Sequence, residues 1–218
     1  MIAKTFFGFD EILAKELQTL GAQNVEQGVR MVSFMGDKGF MYKANLSLRT
    51  ALKILKPIYF FKANNEQALY KGILGVNWSK YINANQTFVI DTTVHSEYFN
   101  HSEFVSQKCK DAIVDQFRER TGSRPSIDKA YPDLRINIHI DKDQVSVALD
   151  TSGNSLNQRG YRTATNIAPI NEVLAAGILL LSGWEGQGHF LDPMCGGGTF
   201  LAEAAMIACN IPANINRR

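Results

Sequence analysis

The residues with the clearest chemical potential lie near the C-terminal end, in Gly188-His-Phe-Leu-Asp-Pro-Met-Cys-Gly-Gly-Gly-Thr-Phe-Leu-Ala-Glu-Ala-Ala205. A short apolar run ends in Asp192, three glycines follow at 196, 197 and 198, and an alanine-rich amphipathic segment begins at Thr199. The pattern predicts strand, tight turn, helix. Such a turn presents backbone N–H groups at the positive end of a helix, where a nucleotide-like ligand is received. A P-loop would need Gly-Lys-Ser/Thr, but Gly198 is followed by Thr199-Phe200, and the strict Gly-x-Gly-x-x-Gly spacing is absent as well. Cys195 has no histidine placed to activate it, His189 lying six residues earlier, so it reads as a small packing residue rather than a nucleophile.

What remains is a turn for S-adenosylmethionine, the methyl donor of class I methyltransferases. Without Cβ atoms, Gly196 to Gly198 let the backbone pass beneath the methionine and ribose portions. The first amides of the Thr199 helix offer N–H groups to the ligand carboxylate, and Asp192 can accept from its amino group. The candidate cofactor set is Asp192, Pro193, Cys195, Gly196, Gly197, Gly198 and Thr199.

The elements that must position this turn occupy most of the 218 residues. Residues 1–62 read as βαββαβ. Strand-like Ile2–Phe7 is followed by a helix capped by Asp10 that carries Leu13, Leu17 and Leu20 and ends at Gly21. Two short strands meet at Gly28-Val-Arg30, a second helix starts at Gly36-Asp37, and Leu52–Phe61 is a long strand. Two helices over a four-stranded antiparallel sheet is the ferredoxin-like arrangement. Residues 63–160 form a second α+β unit, with a helix capped by Asn64 or Asn65, a strand over Thr87–Val94, a helix over Glu103–Arg120 and a hairpin over 134–149. Cys109 falls on the apolar face of that helix with Ile113, Gln116 and Phe117, which makes it a core residue. Residues 151–169 are poor in apolar side chains and form the clearest boundary. Pro169 then opens a helix carrying Val173, Leu174, Ile178 and Leu181.

Composition narrows the function classes. Lys and Arg total 23 and Asp and Glu 21, so net charge alone neither demands nor excludes nucleic acid. The longest apolar run, Ala175 to Leu181, is far short of the ~20 residues of a membrane span, and the N-terminus lacks the pattern of a signal peptide. Cys109, Cys195 and Cys209 are widely spaced, with no metal-ligand spacing, which suits a reduced cytoplasm. His95 and His101 beside Glu97 have a spacing that suits no metal site and read as a polar loop. Lys53, Lys56 and Lys62 cluster about one strand. Arg159-Gly-Tyr-Arg162 sets two guanidiniums around an aromatic, a group able to hold phosphate and stack on a base, and equally able to pin a linker onto a domain.

Taken together, the motifs resemble the N-terminal part of a bacterial THUMP-domain RNA methyltransferase, of the large-subunit rRNA guanine-N2 family. The resemblance covers essentially the whole chain. It rests on Asn45-Leu-Ser-Leu-Arg-Thr50, Leu156-Asn-Gln-Arg-Gly-Tyr-Arg162, Ala168-Pro-Ile-Asn-Glu172 with Leu174-Ala-Ala, Leu179-Leu-Leu-Ser-Gly-Trp184 and Leu191-Asp-Pro-Met-Cys-Gly-Gly-Gly-Thr-Phe200. It implies an α+β chain with a ferredoxin-like domain at 1–62, a THUMP RNA-binding domain at 63–160, and the first helix-strand-helix of a Rossmann-like methyltransferase at 161–218. S-adenosylmethionine is the implied cofactor and structured RNA, in particular large-subunit rRNA, the implied partner. Lys53, Lys56, Lys62, Arg159, Tyr161 and Arg162 are candidate RNA contacts. The family's catalytic Asn/Asp-Pro-Pro-aromatic motif is absent from these residues; it and the acid that holds the ribose hydroxyls are expected beyond Arg218. The chain alone is therefore expected to bind the cofactor weakly or not at all and to be inactive. Its C-terminal segment is expected to dock on the THUMP unit, to be mobile or to pair with another chain. The rivals are a non-enzymatic RNA-binding module, a tRNA guanine-N2 methyltransferase, and a DNA adenine-N6 methyltransferase, which the RNA-binding prefix argues against.

Overall fold

A computed structural model of the chain describes residues 1–162 and 168–217; residues 163–167 of the expected linker, and Arg218, lie outside it. The chain forms two compact units, one of Met1–Leu55 with Thr151–Arg218 and one of Lys56–Asp150.

The first unit opens with β1 (Ile2–Lys4), α1 (Asp10–Leu20), β2 (Gln23–Gly28), β3 (Met31–Met35), α2 (Lys38–Ser47) and the start of β4 (Lys53–Lys62). Strands run β2-β3-β1-β4 with every pair antiparallel, the ferredoxin-like order. Leu13, Ala14 and Leu17 of α1 pack with Ala3, Val32, Phe34 and Ile54 because residues four apart share one helix face and alternate strand residues share one sheet face. Gly21 stops α1 in the left-handed region at φ 101°. Asp10 is not the cap expected of it. Phe9 takes the cap position, and Asp10 Oδ1 accepts from Met31 N at 3.1 Å, tying the helix to β3 instead. Asp37 does cap α2, accepting from Phe40 N at 2.7 Å.

The second unit holds α3 (Glu66–Leu74), a single 3-10 turn (Trp78–Lys80), β5 (Thr87–His95), α4 (Ser102–Thr121), β6 (Ser126–Ile127), β7 (Leu134–Asp141) and β8 (Gln144–Asp150). β5 runs parallel to β6 and β7, and β7 turns back into β8 through Lys142 at φ 54°. Asn65 caps α3. Cys109 lies fully buried in the core with Ile113, Phe117, Ile136 and Val147, and burial pushes its thiol up to about 12. Gln116, read from spacing as one more core-face residue, is a buried polar staple. Its Nε2 donates to Leu74 O and Val76 O, both at 2.8 Å, and its Oε1 accepts from Trp78 N at 3.1 Å. Gln116→Leu keeps the size and strands three buried backbone groups, so urea unfolding is expected to show a loss of about 2 kcal/mol.

α5 (Glu172–Leu181) and α6 (Thr199–Ala208) complete the first unit. Pro169 does not start α5; Asn171 caps it, accepting from Val173 N at 2.9 Å and Leu174 N at 3.2 Å. The strand expected before the glycines is also corrected. Residues 187–192 carry no strand, since a strand needs a neighbour for its N–H and C=O groups and none is paired here. Instead Trp184 closes a loop, its Nε1 donating to Gln187 O at 2.9 Å and its ring lying tilted against Phe190 with centroids 5.2 Å apart. The C-terminal segment packs with the ferredoxin-like residues rather than as expected. Gly177 of α5 lies under Phe9, where a Cβ would stand 2.1 Å from the ring. Arg49 NH2 donates to Met206 O at 3.1 Å and Ile211 O at 2.8 Å, and Asn214 Nδ2 to Asn45 O at 2.9 Å.

Candidate cofactor site

The glycine turn is built by backbone geometry. Gly196 and Gly198 have φ of 52° and 71°, and Gly198 N donates to Cys195 O at 2.7 Å. No atom stands within 4 Å of where either Cβ would be, so it is the left-handed backbone that asks for glycine here. α6 starts at once, with Ala202 N donating to Gly198 O at 2.9 Å. The amides of Thr199, Phe200 and Leu201 precede that first bond, and the cap at Gly198 brings no side-chain acceptor. Asp192 lies half-buried on the approach, its Oδ1 accepting from Met194 N at 3.2 Å. Pro193, Cys195, Gly196 and Gly197 are exposed, and Thr199 is buried. Beside the turn runs a groove of about 300 Å³ whose walls include Ile178, Phe190, Leu191, Pro193 and Phe200, with Asp192 as its acid. Uncapped amides, an open glycine backbone, apolar walls and one carboxylate suit the amino acid and nucleoside parts of S-adenosylmethionine.

Behind the turn, the Arg159–Arg162 run takes the pinning role of the two the sequence allowed. Arg159 is only 1% exposed, so its guanidinium cannot reach a phosphate. NH1 donates to Leu156 O at 2.9 Å and Asn214 Oδ1 at 3.0 Å, NH2 to Arg49 O at 2.5 Å, and Nε stands 3.5 Å from Glu203 Oε1. Tyr161 Oη donates to the same Glu203 oxygen at 3.1 Å, and burial with that carboxylate pushes its phenol up. Arg162 Nε donates to Glu172 Oε1 at 2.5 Å, and its NH2 to Ile170 O at 2.8 Å and Thr199 Oγ1 at 2.9 Å. Burial raises the Glu203 carboxyl against the pull of Arg159. Glu16 supports the same region, accepting from Arg49 N at 2.8 Å, Thr50 N at 3.0 Å and the Thr50 hydroxyl, while burial pushes its carboxyl up.

The lysines lie elsewhere. Lys53 is half-buried, Lys56 is exposed, and Lys62 is exposed and faces Asp143 at 3.3 Å. Glu172, Glu203, Arg49 and Asn214 are partners that the motifs and spacing above do not single out. A signal was present for the first two, since each is a lone acid in an apolar helix and a buried acid needs a partner.

Three family profiles match along the chain: the RlmL ferredoxin-like domain over residues 1–55, the THUMP domain over 63–150, and the RMKL-like methyltransferase domain over 159–218. The chain thus matches a ferredoxin-like, a THUMP and a methyltransferase domain profile in succession. It is 42% identical over 214 residues to the ribosomal RNA large subunit methyltransferase K/L of Syntrophotalea carbinolica, a match that covers 96% of this chain and 30% of that protein. It is 41% identical over 204 residues to the putative RNA methyltransferase slr0064 of Synechocystis, covering 94% of this chain and 53% of that one. The chain therefore spans about half the length of these relatives or less. Its fold matches a crystal structure of a putative methyltransferase complexed with SAH, with a TM-score of 0.86 and 33% identity over all of this chain and 57% of the other.

Proposed function

We propose that this chain supplies the RNA-gripping part and the cofactor turn of an S-adenosylmethionine-dependent methyltransferase that modifies N2 of a guanine in large-subunit rRNA, in the cytoplasm. The observation that carries the reading is the uncapped, left-handed glycine turn opening α6 beside Asp192. S-adenosylmethionine, when bound, supplies an electrophilic methyl group on its sulfonium. The amides of Thr199 to Leu201 receive the ligand carboxylate, Asp192 accepts from its amino group, and the glycines let the backbone approach. On the acceptor side, a guanine amine is a poor nucleophile because its lone pair is delocalised into the ring. It must be oriented by hydrogen-bond acceptors, with a stacking aromatic holding the base. That is the work of the Asn/Asp-Pro-Pro-aromatic motif absent from these residues, so the chain by itself is expected to hold RNA without methylating it. The THUMP match over 63–150 supports the RNA role.

Filter binding of a structured large-subunit rRNA fragment tests the grip. Affinity is expected to fall about tenfold or more between about 50 and about 200 mM salt, because releasing counterions from the phosphates gains less free energy as bulk salt rises. A flat salt response, or no binding, contradicts the proposal. Tighter binding of a tRNA of similar length than of the rRNA fragment favours a tRNA substrate. With tritiated S-adenosylmethionine, a motif-bearing form of the protein is expected to label rRNA, and nuclease digestion to release the label as N2-methylguanosine. Label in N6-methyladenosine would replace the guanine reading.

A further inference from the structure

We propose that Arg162 is a positioning residue for the cofactor turn, an inference that rests on the reading of that turn as the methyl-donor site. Thr199 and Glu203 lie four residues apart, hence one turn apart on one face of α6. Arg162 holds the first through its hydroxyl, and Tyr161 and Arg159 hold the second through its carboxylate. Two points of attachment on one face fix the rotation of a helix about its own axis. They thereby fix where the amides of Thr199 to Leu201 point. Among the described residues of the ligand side, Gly198 brings no capping side chain and residues 187–192 have no ladder to hold them.

Arg162 acts here by geometry rather than by charge. A lone guanidinium at a helix N-terminus would repel the helix and attract the ligand carboxylate. Glu172 Oε1, 2.5 Å from Nε, neutralises it, and the Arg162 side chain is only 19% exposed. What the guanidinium contributes is its fork. Nε addresses Glu172, the first residue of α5, while NH2 bridges Ile170 O and the first residue of α6. The starts of both helices are thus referred to one rigid planar group. A lysine retains the charge and cannot make that pattern.

The test uses the 15N-labelled 218-residue chain, with S-adenosylhomocysteine titrated against the backbone amides of Gly196, Gly197, Gly198 and Phe200. Arg162→Lys and Thr199→Val are each expected to raise Kd about fivefold. The double variant is expected to raise it no further than the stronger single variant, because both remove one shared link. Before ligand is added, the same amides are expected to shift in both variants while those of Leu13 and Val32 in the core stay in place. Thr199→Val removes a single hydrogen bond and provides the milder variant should Arg162→Lys unfold. Effects that multiply in the double variant, or turn amides unmoved in both single variants, overturn the inference. If the 218-residue chain shows no ligand shift at the turn, the titration is repeated on a motif-bearing form of the protein, where no shift at the turn ends the cofactor reading, and the ligand-free comparison decides the positioning role in either case.

Discussion

Arg159→Met lowers the unfolding free energy of the first unit by about 4 kcal/mol, the largest single effect expected in this chain. Methionine fills similar volume, so the loss is electrostatic rather than a cavity. It strands the carbonyls of Leu156 and Arg49 and the amide oxygen of Asn214, and leaves Glu203 buried with the Tyr161 hydroxyl and the more distant charge of Arg49. The deficit depends on pH in a defined direction. Burial already holds the folded-state value of Glu203 above its ordinary one, so its contribution to stability is fully present below the ordinary carboxyl value and lost as pH rises through the folded value. Removing Arg159 raises that folded value further. The difference between variant and parent is therefore smallest near pH 4 and grows toward neutrality. Glu16 is raised in both proteins and largely cancels from the difference. Adding Glu203→Gln to the variant is expected to recover part of the loss at pH 7. Urea unfolding at several pH values checks all three statements; a deficit that does not vary with pH would remove Glu203 from the account.

The second large effect comes from the neighbouring residue. Gly160→Ala is expected to cost about 3 kcal/mol, from a left-handed φ that L residues avoid and from a direct backbone overlap. Gly160 has φ 83°, and a Cβ there would stand 2.2 Å from Asn216 O. The tail can relieve the overlap only by moving. It is held where Arg217 NH2 donates to Ser152 O at 2.9 Å and Asn154 O at 2.7 Å, and where Asn214 meets Arg159 and Asn45. Hydrogen exchange is expected to rise at Asn214, whose amide donates to Leu46 O at 3.0 Å, and at Arg217, whose amide donates to Asn214 O at 3.2 Å, and to stay unchanged at Ile113 and Ile138 in the second unit. Uniform loss of protection would show that the tail is not the element that yields.

Local pattern made most elements legible. The spacing of Leu13 and Leu17, the caps at Asp37 and Asn65, and the alternation through β7 and β8 all act over a few residues. β6 is two residues long and exists because Thr87 and Phe88 offer it a parallel edge, so its own sequence carries no trace of it. The strand expected at the glycine turn failed for the converse reason, an apolar run without a partner ladder. The turn itself was plain, because positive φ at Gly196 and Gly198 has few residue types to choose from. The clasp behind it was not. Arg159 is addressed by carbonyls 110 and 111 residues away in sequence, and no local rule tells such an arginine from a surface one. The same holds for Leu156, which follows the second unit in sequence and completes the core of the first.

Photo-crosslinking shows directly whether the Gly196–Gly198 turn and the start of α6 receive the methyl donor. The chain is irradiated with methyl-tritiated S-adenosylmethionine and the labelled peptide is identified by mass spectrometry. The label is expected in the peptide that contains Asp192 to Thr199, and excess S-adenosylhomocysteine is expected to abolish it. Label placed elsewhere in the chain, or label at the turn that S-adenosylhomocysteine does not displace, would contradict the account.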